Sequence, residues 1–188
     1  QGLHVWFRSH WANWEGIEGK PSNLQPKEYL QKTHDFIIEN PDLFKEGEAF
    51  TVAVEAEVVG VGLGKRFLTW EEYRSFLIRE VNTAGDAFSK IGLKDKVHTN
   101  WLSVNGWVVM NEFNQELVNN IGLIVVDHYV AQSQTIGELE DVNHVVDQTE
   151  KDIDAMYAKW KKPILIGEWG YHISQPVTEE RQAEVIQA

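Results

Sequence analysis

The sequence alternates strand-like apolar runs with amphipathic helical stretches five times in succession, and few folds accept such a chain. Leu3-His4-Val5-Trp6-Phe7-Arg8-Ser9-His10 mixes β-branched and aromatic residues with polar ones, as a first strand does. Pro26 suits the first turn of a helix whose face carries Tyr29, Leu30, Thr33, Phe36 and Ile37, and Asn40-Pro41 ends it. Ala49 to Val54 reads as the second strand, terminating in Glu55-Ala56-Glu57 before the glycine-rich loop Gly60 to Gly64. Thr69-Trp70-Glu71-Glu72 is a capping box, opening a helix with the stripe Tyr73, Phe76, Leu77, Val81, Ala84 and Phe88, closed by Gly92. Lys96 to Thr99 begins a third strand, Asn100 to Gly106 the loop after it, and Asn111 caps a short helix reaching about Asn120. Gly122 to Val126 is the fourth strand, running into Asp127-His128-Tyr129. A helix from about Val145 to Trp160 is stopped by Pro163, because proline excludes the helical conformation at Lys162. Ile164 to Ile166 form the fifth strand, and Glu168 follows between Gly167 and Gly170, beside Trp169. The pattern predicts an α/β domain of parallel strands with right-handed crossovers.

Composition narrows the function. With 188 residues the chain suffices for one domain with a substantial core, residues 1–188 forming a single unit. A net charge of −12 argues against nucleic acid or anionic membrane as a partner and suits an enzyme acting on a neutral substrate. Cysteine is absent, which excludes disulfides and thiolate metal sites. The first residue is Gln rather than Met, so the chain is expected to be a processed or excised piece.

Each strand delivers polar residues at its carboxyl end, where parallel α/β folds build their sites. These are His10, Trp11 and Asn13; Glu55 and Glu57; His98 and Asn100 with Trp101 in the loop; Asp127, His128 and Tyr129; and Glu168 with Trp169. Two carboxylates opposed across such a rim fit glycosidic bond hydrolysis, one attacking and one protonating the leaving oxygen. Trp11, Trp14, Trp101 and Trp107 are candidate floors for sugar rings. His10, His98 and His128, with Asp127, offer zinc-type donors, but hydrogen bonding around a sugar is the reading preferred. The loop Gly60 to Gly64 misses both the Walker and the dinucleotide spacings, with Val59, Lys65 and Arg66 where those motifs need other residues. No cofactor and no metal are expected.

Gly167-Glu168-Trp169-Gly170 at the end of a late strand resembles the nucleophile strand of the retaining (β/α)₈ glycoside hydrolases of clan A, the cellulase type. The resemblance implies a partial (β/α)₈ TIM barrel of about five βα units, from strand three at Val5 to His10 to strand seven at Glu168. It makes Glu168 the nucleophile, places the acid/base at Glu55 or Glu57, and likens Asp127-His128-Tyr129 to the clan's His-x-Tyr type site. It also implies a carbohydrate substrate, with His10, Trp11, Asn13, Asn100, Trp101, His128, Tyr129 and Trp169 as binding residues, and a secreted or extracellular enzyme. The clan's Asn-Glu pair is absent at Glu55 and Glu57; it occurs at Asn111-Glu112, where helix capping explains it better. Strands one, two and eight are unaccounted for, so either the chain is a fragment of a longer enzyme or another chain or copy completes the barrel. The alternatives are a carbohydrate-binding protein without catalysis and an assembly piece with open sheet edges.

Overall fold

The computed structural model describes residues 3–11, 24–55, 69–129 and 142–170, with single positions at 180, 183 and 187. The elements run β1 (Trp6–Arg8), α1 (Pro26–Glu39), β2 (Ala49–Thr51), α2 (Trp70–Lys90), β3 (Trp101–Asn105), α3 (Gly106–Asn111), α4 (Gln115–Asn120), β4 (Leu123–Tyr129), α5 (Val142–Trp160) and β5 (Ile164–Gly170).

The helix starts obey local chemistry. Pro26 stands in the first turn of α1, where Glu28 accepts from the Gln25 backbone N–H at 2.7 Å. Thr69 and Glu72 cap α2 reciprocally, each accepting from the other's backbone N–H at 3.2 Å. The stripe Tyr73, Phe76, Leu77, Val81, Ala84 and Phe88 is buried, and α2 packs on α1. Gly92, at φ +78°, takes the left-handed conformation that ends the turn.

The strands are parallel and lie in two small sheets, β1-β2 and β3-β4-β5, in chain order. A bridge between Ala49 and His98 and the hydrogen bond from Glu55 N–H to the Ser103 carbonyl (3.2 Å) stitch the sheets together. The result is an α/β fold consistent with part of a TIM-barrel-like array.

Two expected elements move. The third strand is Trp101–Asn105, and the Lys96 to Thr99 stretch contributes only the bridge at His98. Leu102 and Val104 bury on one face while Ser103 turns to the other, a strand alternation hidden in a segment that Asn, Ser and Gly make look like a loop. The helix expected from Asn111 is two helices, capped by Asn105 (accepting from Trp107 N–H at 3.0 Å) and Asn114 (from Leu117 N–H at 2.9 Å).

Alternation also sorts the faces. Phe7, Phe50, Leu102, Val104, Ile124 and Val126 pack toward the helices, where Phe44 meets Phe7 at 5.0 Å and Phe88 at 4.9 Å between ring centres. Trp6, Arg8, Thr51, Ser103, Val125 and Asp127 take the other face, with Trp6 Nε1 donating to Thr51 Oγ1 at 2.7 Å. In a flat array β1 and β5 would stand four spacings apart, about 19 Å. Arg8 on β1 nevertheless bonds Glu168 on β5. No Arg and Glu pair spans that gap, so the array curls and this face is concave.

Candidate active site

Glu168 reaches the concave face through an irregularity. Ile164 pairs with Ile124 and Ile166 with Val126, both helix-facing, so strict alternation would send Glu168 to the helices as well. The register shifts at that point and Asp127 pairs with Glu168, leaving Gly167 as the extra residue of a β-bulge. Only glycine fits there: a Cβ on Gly167 would sit 2.4 Å from Val125 Cγ1, 2.8 Å from Asp127 Oδ1 and 3.2 Å from Trp6 Cη2.

Four charged side chains meet above that bulge. Glu55, Asp127 and Glu168 each bring a carboxylate oxygen within 4.8 Å of the others. Arg8 donates to Glu168 Oε1 and, at 2.9 Å, to Asp127 Oδ2; it also contacts Ser103 Oγ at 3.2 Å. Ser103 donates to Asp127 Oδ2 at 2.7 Å and Tyr129 Oη to Glu168 Oε2 at 2.8 Å. Both Glu168 oxygens are thereby held, while its side chain keeps 34% exposure; the Asp127 side chain has none. Glu55 is buried, at a strained φ of +46°, four residues beyond the end of β2.

Environment tunes two of these groups. Burial pushes the Asp127 carboxyl up, against the Ser103 hydrogen bond and the Arg8 charge, and Glu168 adds to the rise. Burial, the bond to Glu168 and the nearby charges of Glu168, Glu55 and Asp127 push Tyr129 up to about 12, so its hydroxyl stays a donor. Three carboxylates form an oxygen donor set of the kind hard cations take. Arg8 already lies against two of them, so the chain supplies its own countercharge.

The other expected site residues disperse. His10 stays near the carboxyl end of β1 with its ring edge-on to Tyr29. Trp11 turns into the α1 packing, its N–H donating to Tyr29 Oη (3.1 Å) and Nε1 to Thr33 Oγ1 (2.8 Å). Asn100 and Trp101 lie at the amino end of β3, because the strand starts later than expected; Trp101 stacks on His98 there. His128 and Trp169 alternate with Asp127 and Glu168 and so face the helices: His128 Nε2 lies 3.6 Å from Asp152, and Trp169 Nε1 donates to Thr149 Oγ1 at 3.3 Å. The three histidines therefore do not converge. Glu57, Asn13, Trp14 and the loop Gly60 to Gly64 lie outside the described residues.

Sequence reasoning assigned no role to Arg8 or Ser103 and left Asp127 as one of several strand-end groups. The available signal was alternation: Arg8 shares a face with Trp6, and a charge on that face demands a partner.

No protein-family model matches the chain. No curated protein matches it in sequence. Among solved structures it is similar to a fungal beta-1,4-galactanase, with a TM-score of 0.49 and 14% identity. The match covers 90% of this chain and 55% of that one, so the chain spans about half the length of that structure.

Proposed function

We propose that the chain is a glycosidase that cleaves an O-glycosidic bond of a poly- or oligosaccharide with retention, built on part of a (β/α)₈ barrel. The observation that carries this reading is the approach of Glu55 and Glu168 within 4.8 Å on a concave face at strand carboxyl ends. Retaining enzymes hold their two carboxyl groups about 5 to 5.5 Å apart, close enough for one to attack while the other protonates.

Glu168 attacks the anomeric carbon as the bond to the leaving oxygen breaks, and Glu55 gives that oxygen its proton. Glu55 then takes a proton from water, whose oxygen displaces Glu168 from the glycosyl-enzyme. Arg8 and Tyr129 fix the attacking carboxylate from both sides. Asp127 is fully buried and engaged by Arg8 and Ser103, so of the described carboxyl groups beside Glu168 we assign the acid role to Glu55, which keeps 7% exposure. Leu165 and Ile166 on β5 are exposed apolar residues of a strand with one partner among the described residues. Further barrel strands would cover them.

The test is hydrolysis of a panel of aryl β-glycosides and a β-1,4-glucan by the wild type, Glu168→Gln, Glu55→Gln and Glu57→Gln. Loss of a nucleophile costs on the order of a millionfold in kcat elsewhere, and Glu168→Gln is expected to fall to background. Loss of general acid–base catalysis costs about 10²- to 10⁴-fold, expected at Glu55 and not at Glu57. Undiminished hydrolysis by Glu168→Gln removes the reading.

A further inference from the structure

Behind β4, on the helix side, lies a second recess of about 730 Å³, in the size range of ligand pockets. Trp107 of α3 forms its rim with 57% of its surface exposed, and Met110 and Met156 line its apolar part. His128 projects into it from β4, and Gln148 and Asp152 from α5. Asp127 and Tyr129 also border it, so the recess adjoins the carboxylate site, but His128 turns to the helix side while Asp127, its neighbour on the strand, turns to the concave face.

The His128 ring is placed with little freedom. Gly106 packs close beside it: a Cβ there would come 3.4 Å from His128 Nδ1, 3.3 Å from Val126 Cγ1 and 3.0 Å from the end of Met156. His128 is only 7% exposed, and its Nε2 has no hydrogen-bond partner among the described residues; Asp152 Oδ2 stands 3.6 Å away. Asp152 Oδ1 accepts from Gln148 at 2.7 Å, which leaves Oδ2 turned toward His128. A buried polar nitrogen left unsatisfied is destabilising, a cost that a fitting ligand removes. Burial lowers the affinity of His128 for a proton, against the pull of Asp152, which keeps the ring neutral.

The chemistry that answers this set is a neutral hydroxyl beside an apolar ring face. A hydroxyl can accept from Nε2–H and donate to Asp152, which an ammonium cannot do, and no Lys or Arg among the described residues lines the recess to hold an anion. An exposed indole offers the flat surface that the C–H face of a sugar covers. We propose that the recess is a second carbohydrate-binding subsite, holding one sugar ring on Trp107 with a hydroxyl shared between His128 and Asp152. It rests on the reading of the chain as carbohydrate-active and adds a place for sugar outside the cleavage site.

The experiment follows the tryptophan indole N–H resonances of the full chain carrying Glu168→Gln. D-glucose, D-mannose, D-xylose and the β-1,4-linked tetraose of each are added in turn, and the Trp107 resonance is assigned with Trp107→Ala. At least one of the six sugars is expected to shift Trp107, and Asp152→Ala is expected to weaken that response about tenfold, the scale of one lost hydrogen bond to a charged group. A response to the free sugars marks recognition of a single ring, and one to the tetraoses alone marks recognition of a chain. A Trp107 resonance that no sugar moves, beside hydrolysis by the wild type, overturns the subsite and leaves the enzyme reading standing. A shift indifferent to Asp152→Ala and to His128→Gln also overturns it. No hydrolysis and no shifted resonance with any sugar removes both.

Discussion

Two carboxylic acids in different parts of the molecule are equally inaccessible, with 0% exposure each: Asp127 on the concave face and Glu80 in the seam between α1 and α2. Asp127 has an Arg8 ion pair at 2.9 Å and a Ser103 hydroxyl at 2.7 Å. Among the described residues Glu80 has one neutral donor, the Thr33 hydroxyl at 2.8 Å, which itself accepts from Trp11 Nε1, and Glu80 Oε1 has no hydrogen-bond partner. Burial pushes Glu80 up to about 7, with Thr33 and the Arg79 charge pulling weakly the other way. The same residue chemistry thus serves two ends. A countercharge lets the concave face gather carboxylates, whereas the seam without one turns its acid into a proton-dependent strut.

The largest effect expected from this difference is at Arg8. Arg8→Met leaves Asp127 and Glu168 facing each other without a cation, and removing one partner of a buried pair costs about 3 to 5 kcal/mol. Urea unfolding measures it, and a loss under about 1 kcal/mol would mean that countercharge is not what distinguishes the two regions.

Next in size is the pH response of the seam. Below pH 4.5 both the folded and unfolded chains hold the Glu80 proton. Between 4.5 and about 7 only the unfolded chain has released it, so this group lowers stability as pH rises, and above 7 the loss is complete. The span amounts to on the order of 3 kcal/mol. Glu80→Gln is expected to flatten that slope in unfolding curves taken from pH 4 to 8; a slope unchanged by the substitution assigns it to other groups.

The smallest effect separates the regions altogether. Gly167→Ala overpacks the bulge and should cost about 1 to 3 kcal/mol while moving Glu168 out of line, so glycoside hydrolysis falls. The Glu80 slope should persist in the same variant, because the two sites share no partner. A hydrolysis rate equal to wild type would show that the bulge does not aim Glu168.

Much of this was legible from the chain. The capping box at Thr69, the proline start at Pro26 and the apolar face of α2 are read from neighbours within a turn, and the helices formed accordingly. Glu55 and Glu168 were legible as strand-end acids, and the geometry brings them together. Third-strand placement was not, since Asn100, Ser103 and Asn105 look like loop residues until β4 pairs with them. The side on which His128 and Trp169 lie was not legible for a related reason: their place one residue from Asp127 and Glu168 puts them on the face opposite those carboxylates.

By itself the sequence determined the order and type of the elements, because caps, proline stops and helical stripes act over four residues or fewer. Tertiary structure decided which side chains share a space. Strand parity is set by the partner's register, and the single extra residue at Gly167 reverses it for Glu168. Arg8 finds its two carboxylates across residues 119 and 160 positions away in sequence, only because the parallel array curls. Local propensity carries no information about that curvature.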